Sequence, residues 1–168
     1  ASGTLLAYSQ GDLVRFAAES AGGLTFNPPV VISDGTTLTP AHVRMARIAA
    51  GIMVVVWVET SDRDGSLDDV DVVARVVDEA GAPLGPVVLV STSATDASAP
   101  EVAVLDDDTA VLGFLDAGEA LIGSADVAAL LAGTAPGLID ASAVTGGGAA
   151  SAISIAADGG GRLSVCWI

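Results

Sequence analysis

The chain repeats itself. Four segments follow one pattern: Thr4–Ser9 (TLLAYS), Val54–Glu59 (VVVWVE), Ala110–Asp116 (AVLGFLD) and Leu163–Ile168 (LSVCWI). Each is an apolar run with an aromatic near its end. The aromatics Tyr8, Trp57, Phe114 and Trp167 stand 49, 57 and 53 residues apart, and they are four of the chain's six. A self-similar period of this length marks a supersecondary unit that buries its faces against copies of itself.

Three further registers accompany the first. Pro28–Ser33 (PPVVIS) resembles Gly85–Ser91 (GPVVLVS), with a weaker echo at Pro136–Asp140 (PGLID). Proline is tolerated at a strand's first residue or on an edge strand, so each proline can open an outer strand. Pro40–Met45, Pro100–Leu105 and Ser151–Ala156 alternate with period two and lead through short turns into the aromatic strands. Asp12–Ala17, Val70–Val76 and Leu121–Val127 supply a strand after each of the first three aromatics. Ala125–Ala132 also carries the Ala and Leu of a helical turn.

Four strands in about 50 to 57 residues are the size and content of a β-propeller blade. The expected architecture is therefore all-β: a propeller arc of about three four-stranded blades, with a β-sandwich of short strands as the alternative. The repeat units run over 4–48, 53–105 and 109–156, with an extra strand at 163–168. Each unit starts on the second strand of one blade and ends on the first strand of the next. Three blades do not close a ring, because propellers use about four to eight. Further blades of the same polypeptide or other subunits are the expected partners. The start at Ala1 without Met and the stop at Ile168 inside an apolar run read as a processed product or a piece of a longer polypeptide.

The stretch Val54 to Leu115 resembles a repeat of bacterial secreted and surface proteins with sialidase-like propellers. The residues that carry the likeness are Val55-Val56-Trp57, the acidic turn Asp62 to Asp71, the strand and turn Asp69 to Gly81, Pro83 to Thr92 and Ala99 to Leu105. The resemblance implies an extracellular, cell-surface or virion-surface protein with a structural or binding role. It does not imply catalysis. The Asp-box turn of sialidases is unmatched at Ser61–Leu67, and the only tyrosine, Tyr8, belongs to the repeated register rather than to a nucleophile's setting. The alternatives are the propeller portion of a secreted glycan-active hydrolase, or a small oligomeric lectin with carbohydrate as its ligand.

Charge narrows the partners. The chain has 21 acids against 6 bases, a net charge of -15, and every base is Arg. Phosphate contacts need a cationic surface, which argues against nucleic acid. The longest uncharged apolar run, Ile48 to Val58, falls well short of the ~20 residues that span a bilayer.

The strongest chemical motif is the acidic stretch Asp62 to Asp71. Calcium takes six to eight oxygens, and Asp-x-Asp-Gly turns deliver carboxylates around a tight bend. Asp62, Asp64 and Asp68 have the spacing of calcium ligands, although the full EF-hand pattern is absent. The other reading of the stretch is a solvated hairpin held by Asp–backbone bonds. No catalytic constellation emerges. His42 is the only histidine and lacks the partners of a zinc site. Asp106-Asp107-Asp108, Gly146–Gly148 and Gly159–Gly161 read as turns. Trp57 and Trp167 read as core rather than sugar platforms. Cys166, the one cysteine, sits inside an apolar run and is expected to be buried.

Overall fold

The computed structural model describes all residues except 1, 2, 24, 50, 66–68, 92, 107, 142, 144–148, 159 and 160. Among the described residues the chain is all-β, with thirteen strands and one short helix. The strands form four separate antiparallel sheets, each taken from consecutive elements. The first holds β1 (Leu5–Gln10), β2 (Leu13–Ala18) and β3 (Val30–Val31). The second holds β4 (Leu38–Ala49), β5 (Ile52–Thr60), β6 (Val70–Asp78) and β7 (Val88–Leu89). The third holds β8 (Ala97–Val104), β9 (Thr109–Asp116), β10 (Glu119–Asp126) and β11 (Gly137–Asp140). The fourth is the hairpin of β12 (Ile153–Ala157) and β13 (Leu163–Trp167).

The four aromatics fall on β1, β5, β9 and β13. Side chains alternate faces along a strand, and this rule decides what each aromatic meets. Trp57 packs with Val14, Phe16 and Ile32 of the first sheet. Phe114 packs with Val54, Val56, Val58 and Val72 of the second. Trp167 packs against Leu115, Ala120 and Ile122, all in the third. Each thus faces the preceding sheet, and the intervening residues face the following one. Val56 joins the cluster shared with the third sheet. At Gly113 an added Cβ would lie 2.5 Å from Ile155 Cδ1, so the missing side chain lets the fourth sheet approach.

This sandwiching explains why Met53–Val58 of β5 and Val72–Val77 of β6, Arg75 apart, are apolar at consecutive positions. A strand covered on both faces needs apolar residues at every position, so the period-two signal disappears. Arg75 on β6 fastens the first two sheets together, donating from Nη1 to the Ile32 carbonyl at 2.6 Å and from Nε to Gly85 O at 2.9 Å.

The proline registers end alike. Val14 N donates to Ser33 Oγ at 3.1 Å, and Val72 N donates to Ser91 Oγ at 3.0 Å. In both cases the backbone then bonds the same carbonyl twice, from Ile32 and Ser33 to Val14 O and from Val90 and Ser91 to Val72 O. The strands that open each four-stranded sheet also share a device. Thr39 before Pro40 and Ala99 before Pro100 both hold positive φ, 42° and 50°. Each sits where the pairing register shifts, between Leu38 and Ala41 and between Ser98 and Glu101. A β-bulge bends the strand there.

Two details differ from expectation. The Ala125–Ala132 stretch divides: β10 runs to Asp126, whose carboxylate caps helix α1 (Val127–Leu131) by accepting from Ala128 N at 2.6 Å. Cys166 is exposed rather than buried. Alternation gives Leu163, Val165 and Trp167 to the packed face of β13, so Cys166 takes the other face, which no described element covers.

Candidate metal centre and acidic network

Where β5 and β6 leave the valine-rich core, acids replace valine. Glu59 and Asp71 stand opposite each other in the register, and both are fully buried. Their surroundings differ.

Glu59 has a cation beside it. Two residues along from Trp57, it shares that side chain's face and accepts the indole N–H at 2.7 Å. Arg63 donates to it from Nε at 2.5 Å and reaches Asp34 from Nη2 at 2.6 Å. Asp34 also accepts from the Thr36 backbone N–H at 3.0 Å and hydroxyl at 2.7 Å. Burial pushes the Asp34 carboxyl up, but the hydrogen bonds from Arg63 and Thr36 outweigh it and hold the group at about 2. Burial likewise works against the Arg63 cation, and the two carboxylates more than restore it.

Asp71 has hydroxyls instead of a cation. Ser91 donates to one oxygen at 2.8 Å and Ser61 to the other at 3.2 Å. Burial raises its carboxyl above the usual range, and neighbouring Asp64 and Asp69 raise it further against the pull of the serines. Asp64, Asp69 and Asp71 converge, one carboxylate oxygen of each lying within 4.8 Å of the others. Asp69 is 5% exposed, and neither of its buried oxygens has a hydrogen-bond partner. All donors here are carboxylate or hydroxyl oxygens, a set suited to hard cations.

Of the three carboxylates expected from spacing, Asp64 joins this group. Asp62 is exposed and lines a separate depression with Thr36, Arg63 and Val87. Asp68 lies outside the described residues. Spacing did not single out Asp69 and Asp71, although they belong to the same acidic stretch. The available signal was their position: acids at the start of a valine-rich strand.

Asp106 accepts from Asp108 N at 3.0 Å, and that bond is the first cause of its lowered pKa. Asp107, Gly146–Gly148, Gly159 and Gly160 lie outside the described residues, and Gly161 takes a positive φ of 82°. His42 is exposed at a register shift of β4 and also has positive φ, 51°. Asp116, two residues past Phe114 as Glu59 is past Trp57, accepts short hydrogen bonds from Ser93 and Thr95.

A second feature stands out on the first sheet. Leu5 and Ala7 turn toward the second sheet, so Leu6 and Tyr8 face away from it. That outward face forms a shallow apolar trough of Leu6, Tyr8, Ala17, Phe26, Pro28 and Pro29. Leu6 is 43% and Phe26 47% exposed, whereas Trp57 and Phe114, on the corresponding strands, are fully covered. Arg15, paired across from Tyr8, has a buried Nε without a partner.

Compared with known proteins, the chain matches no family model, no curated protein and no solved structure.

Proposed function

We propose that this chain is a non-catalytic structural or binding module whose four sheets are successive blades of a β-propeller. The single observation that carries the reading is the open face of the first sheet. Trp57, Phe114 and Trp167 each pack on the sheet before them, while Tyr8, on the corresponding strand, meets no such sheet among the described residues. A contiguous exposed apolar patch on a soluble domain marks an interaction surface. Its natural occupant is the face of another such sheet, contributed by further chain or by another subunit. Sheet edges left unpaired would be closed in the same step.

The proposed setting is an extracellular, cell-surface or virion-surface assembly. The lysine-free surface and net charge of -15 support it, since like charge keeps such modules soluble. Trp57 offers no face to a sugar, because it is fully buried. No Ser-His-acid arrangement or paired catalytic carboxylates in a cleft support an enzymatic reading among the described residues.

The test is size-exclusion chromatography with light scattering on residues 1–168. Self-association is expected. A folded, monodisperse monomer of 16.4 kDa would overturn the open-face reading.

A further inference from the structure

We propose that Asp64, Asp69 and Asp71 bind one calcium ion, which pins the turn between β5 and β6 to the connection between β7 and β8. The site is independent of the stacking proposed above, because all of its residues belong to the second sheet and its loops.

Asp69 carries the argument. A buried carboxylate is stable when paired or coordinated, since leaving a buried polar group unpartnered is costly. Asp69 is 95% withdrawn from solvent, and both of its oxygens lack hydrogen-bond partners. They lie in a group with Asp71 and Asp64, one oxygen of each within 4.8 Å of the others. Arg63, adjacent in sequence to Asp64, does not serve as counter-charge: its Nε is held by Glu59 and its Nη2 by Asp34. A cation of charge two, placed among the three carboxylates, supplies the partner that Asp69 lacks.

The donor set selects the ion. Carboxylate oxygens exclude the softer metals that favour imidazole and thiolate. Magnesium dehydrates reluctantly and keeps several waters, whereas calcium accepts an irregular shell of six to eight protein oxygens. Two of the three carboxylates here are buried, so the site favours the ion that gives up water more readily. The surrounding bonds show what the ion would join. Asp71 is tied to Ser91, and Val70 N donates to Asp96 at 3.0 Å, both partners lying in the β7–β8 connection. Asp64 comes from the β5–β6 turn. A bound ion therefore couples the turn to the segment that leads into the third sheet.

The experiment is thermal unfolding of the chain after removal of divalent ions with EGTA, then with 10 mM calcium or magnesium chloride. Calcium should raise Tm by roughly 5–10 °C if present at ~100-fold above Kd. Asp62→Asn, outside the group, should keep that gain. Asp69→Asn should lose it while remaining at least as stable as the parent in EGTA, because the substitution removes a like charge. Calorimetric titration of the parent chain should give one calcium per chain, and this holds the test even if a variant misfolds. An unchanged Tm with no binding isotherm, or an undiminished gain in Asp69→Asn, would overturn the site. An equal gain with magnesium would overturn its assignment to calcium.

Discussion

Trp57 and Glu59 do two jobs with one hydrogen bond. The indole fills the space between the first two sheets, and its N–H satisfies an acid that has no solvent. Trp57→Ala should therefore destabilise the chain by ~3–5 kcal/mol, the range for large-to-small changes in a core. Chemical denaturation reads this directly, and a loss below ~0.5 kcal/mol would mean the ring is not core. The Asp34–Arg63–Glu59 chain adds a pH dependence. Asp34 in the folded protein is depressed to about 2 from 3.8. Its contribution is thus fully present above about pH 4 and is lost as pH falls toward 2. Asp34→Asn should lower stability at neutral pH, and the gap to the parent should close across that acidic window. Urea midpoints measured from pH 7 down to 2 test this; a constant gap would mean the charge of Asp34 is irrelevant.

Among the elements, the hairpins place unusual demands on their turns. Between β9 and β10 both central residues, Ala117 and Gly118, have positive φ, 49° and 84°. That is the two-residue loop with a twist matching its strands, and it favours Asn-Gly. An alanine in this conformation is penalised by about 1 kcal/mol or more, while asparagine tolerates it. Ala117 is exposed, so Ala117→Asn should raise stability by up to about 1 kcal/mol, visible as a shift in denaturation midpoint without a change in slope. A decrease would contradict the turn geometry. The same scale explains the legibility of the strands. Alternation in Pro40–Met45 and Pro100–Leu105 and the valine runs of β5 and β6 were readable because burial acts locally on each side chain. The bulges at Thr39 and Ala99 were not readable, since positive φ before proline runs against the usual preference for extended backbone.

At the scale of the whole molecule the two ends of the stack differ. The first sheet presents Leu6, Tyr8 and Phe26 outward, while the outward side of the fourth carries small side chains such as Ser154, Ser164 and Cys166. Association through the first face should therefore depend on its large side chains. The pair Leu6→Glu and Phe26→Glu, both at exposed positions, should shift the chain toward monomer in light scattering without altering its circular dichroism. Undiminished association in this double variant would place the contact elsewhere, on the unpaired sheet edges.

That the segments around Tyr8, Trp57, Phe114 and Trp167 are strands was legible in the sequence alone, because strand character depends on neighbours a few residues apart. Which face each residue takes follows from alternation once a strand is given, but what covers that face does not. Cys166 shows the difference: its apolar surroundings predicted burial, and only the sheet stack decides that its side of β13 is bare. The acids show it again. Spacing drew attention to Asp62, Asp64 and Asp68, yet carboxylates converge through a turn's path in space and through pairing with another strand. Asp71 is brought to its place by Glu59 across the ladder and by Ser91 from a distant connection. Proximity of that kind is a property of the folded chain, and no local pattern encodes it.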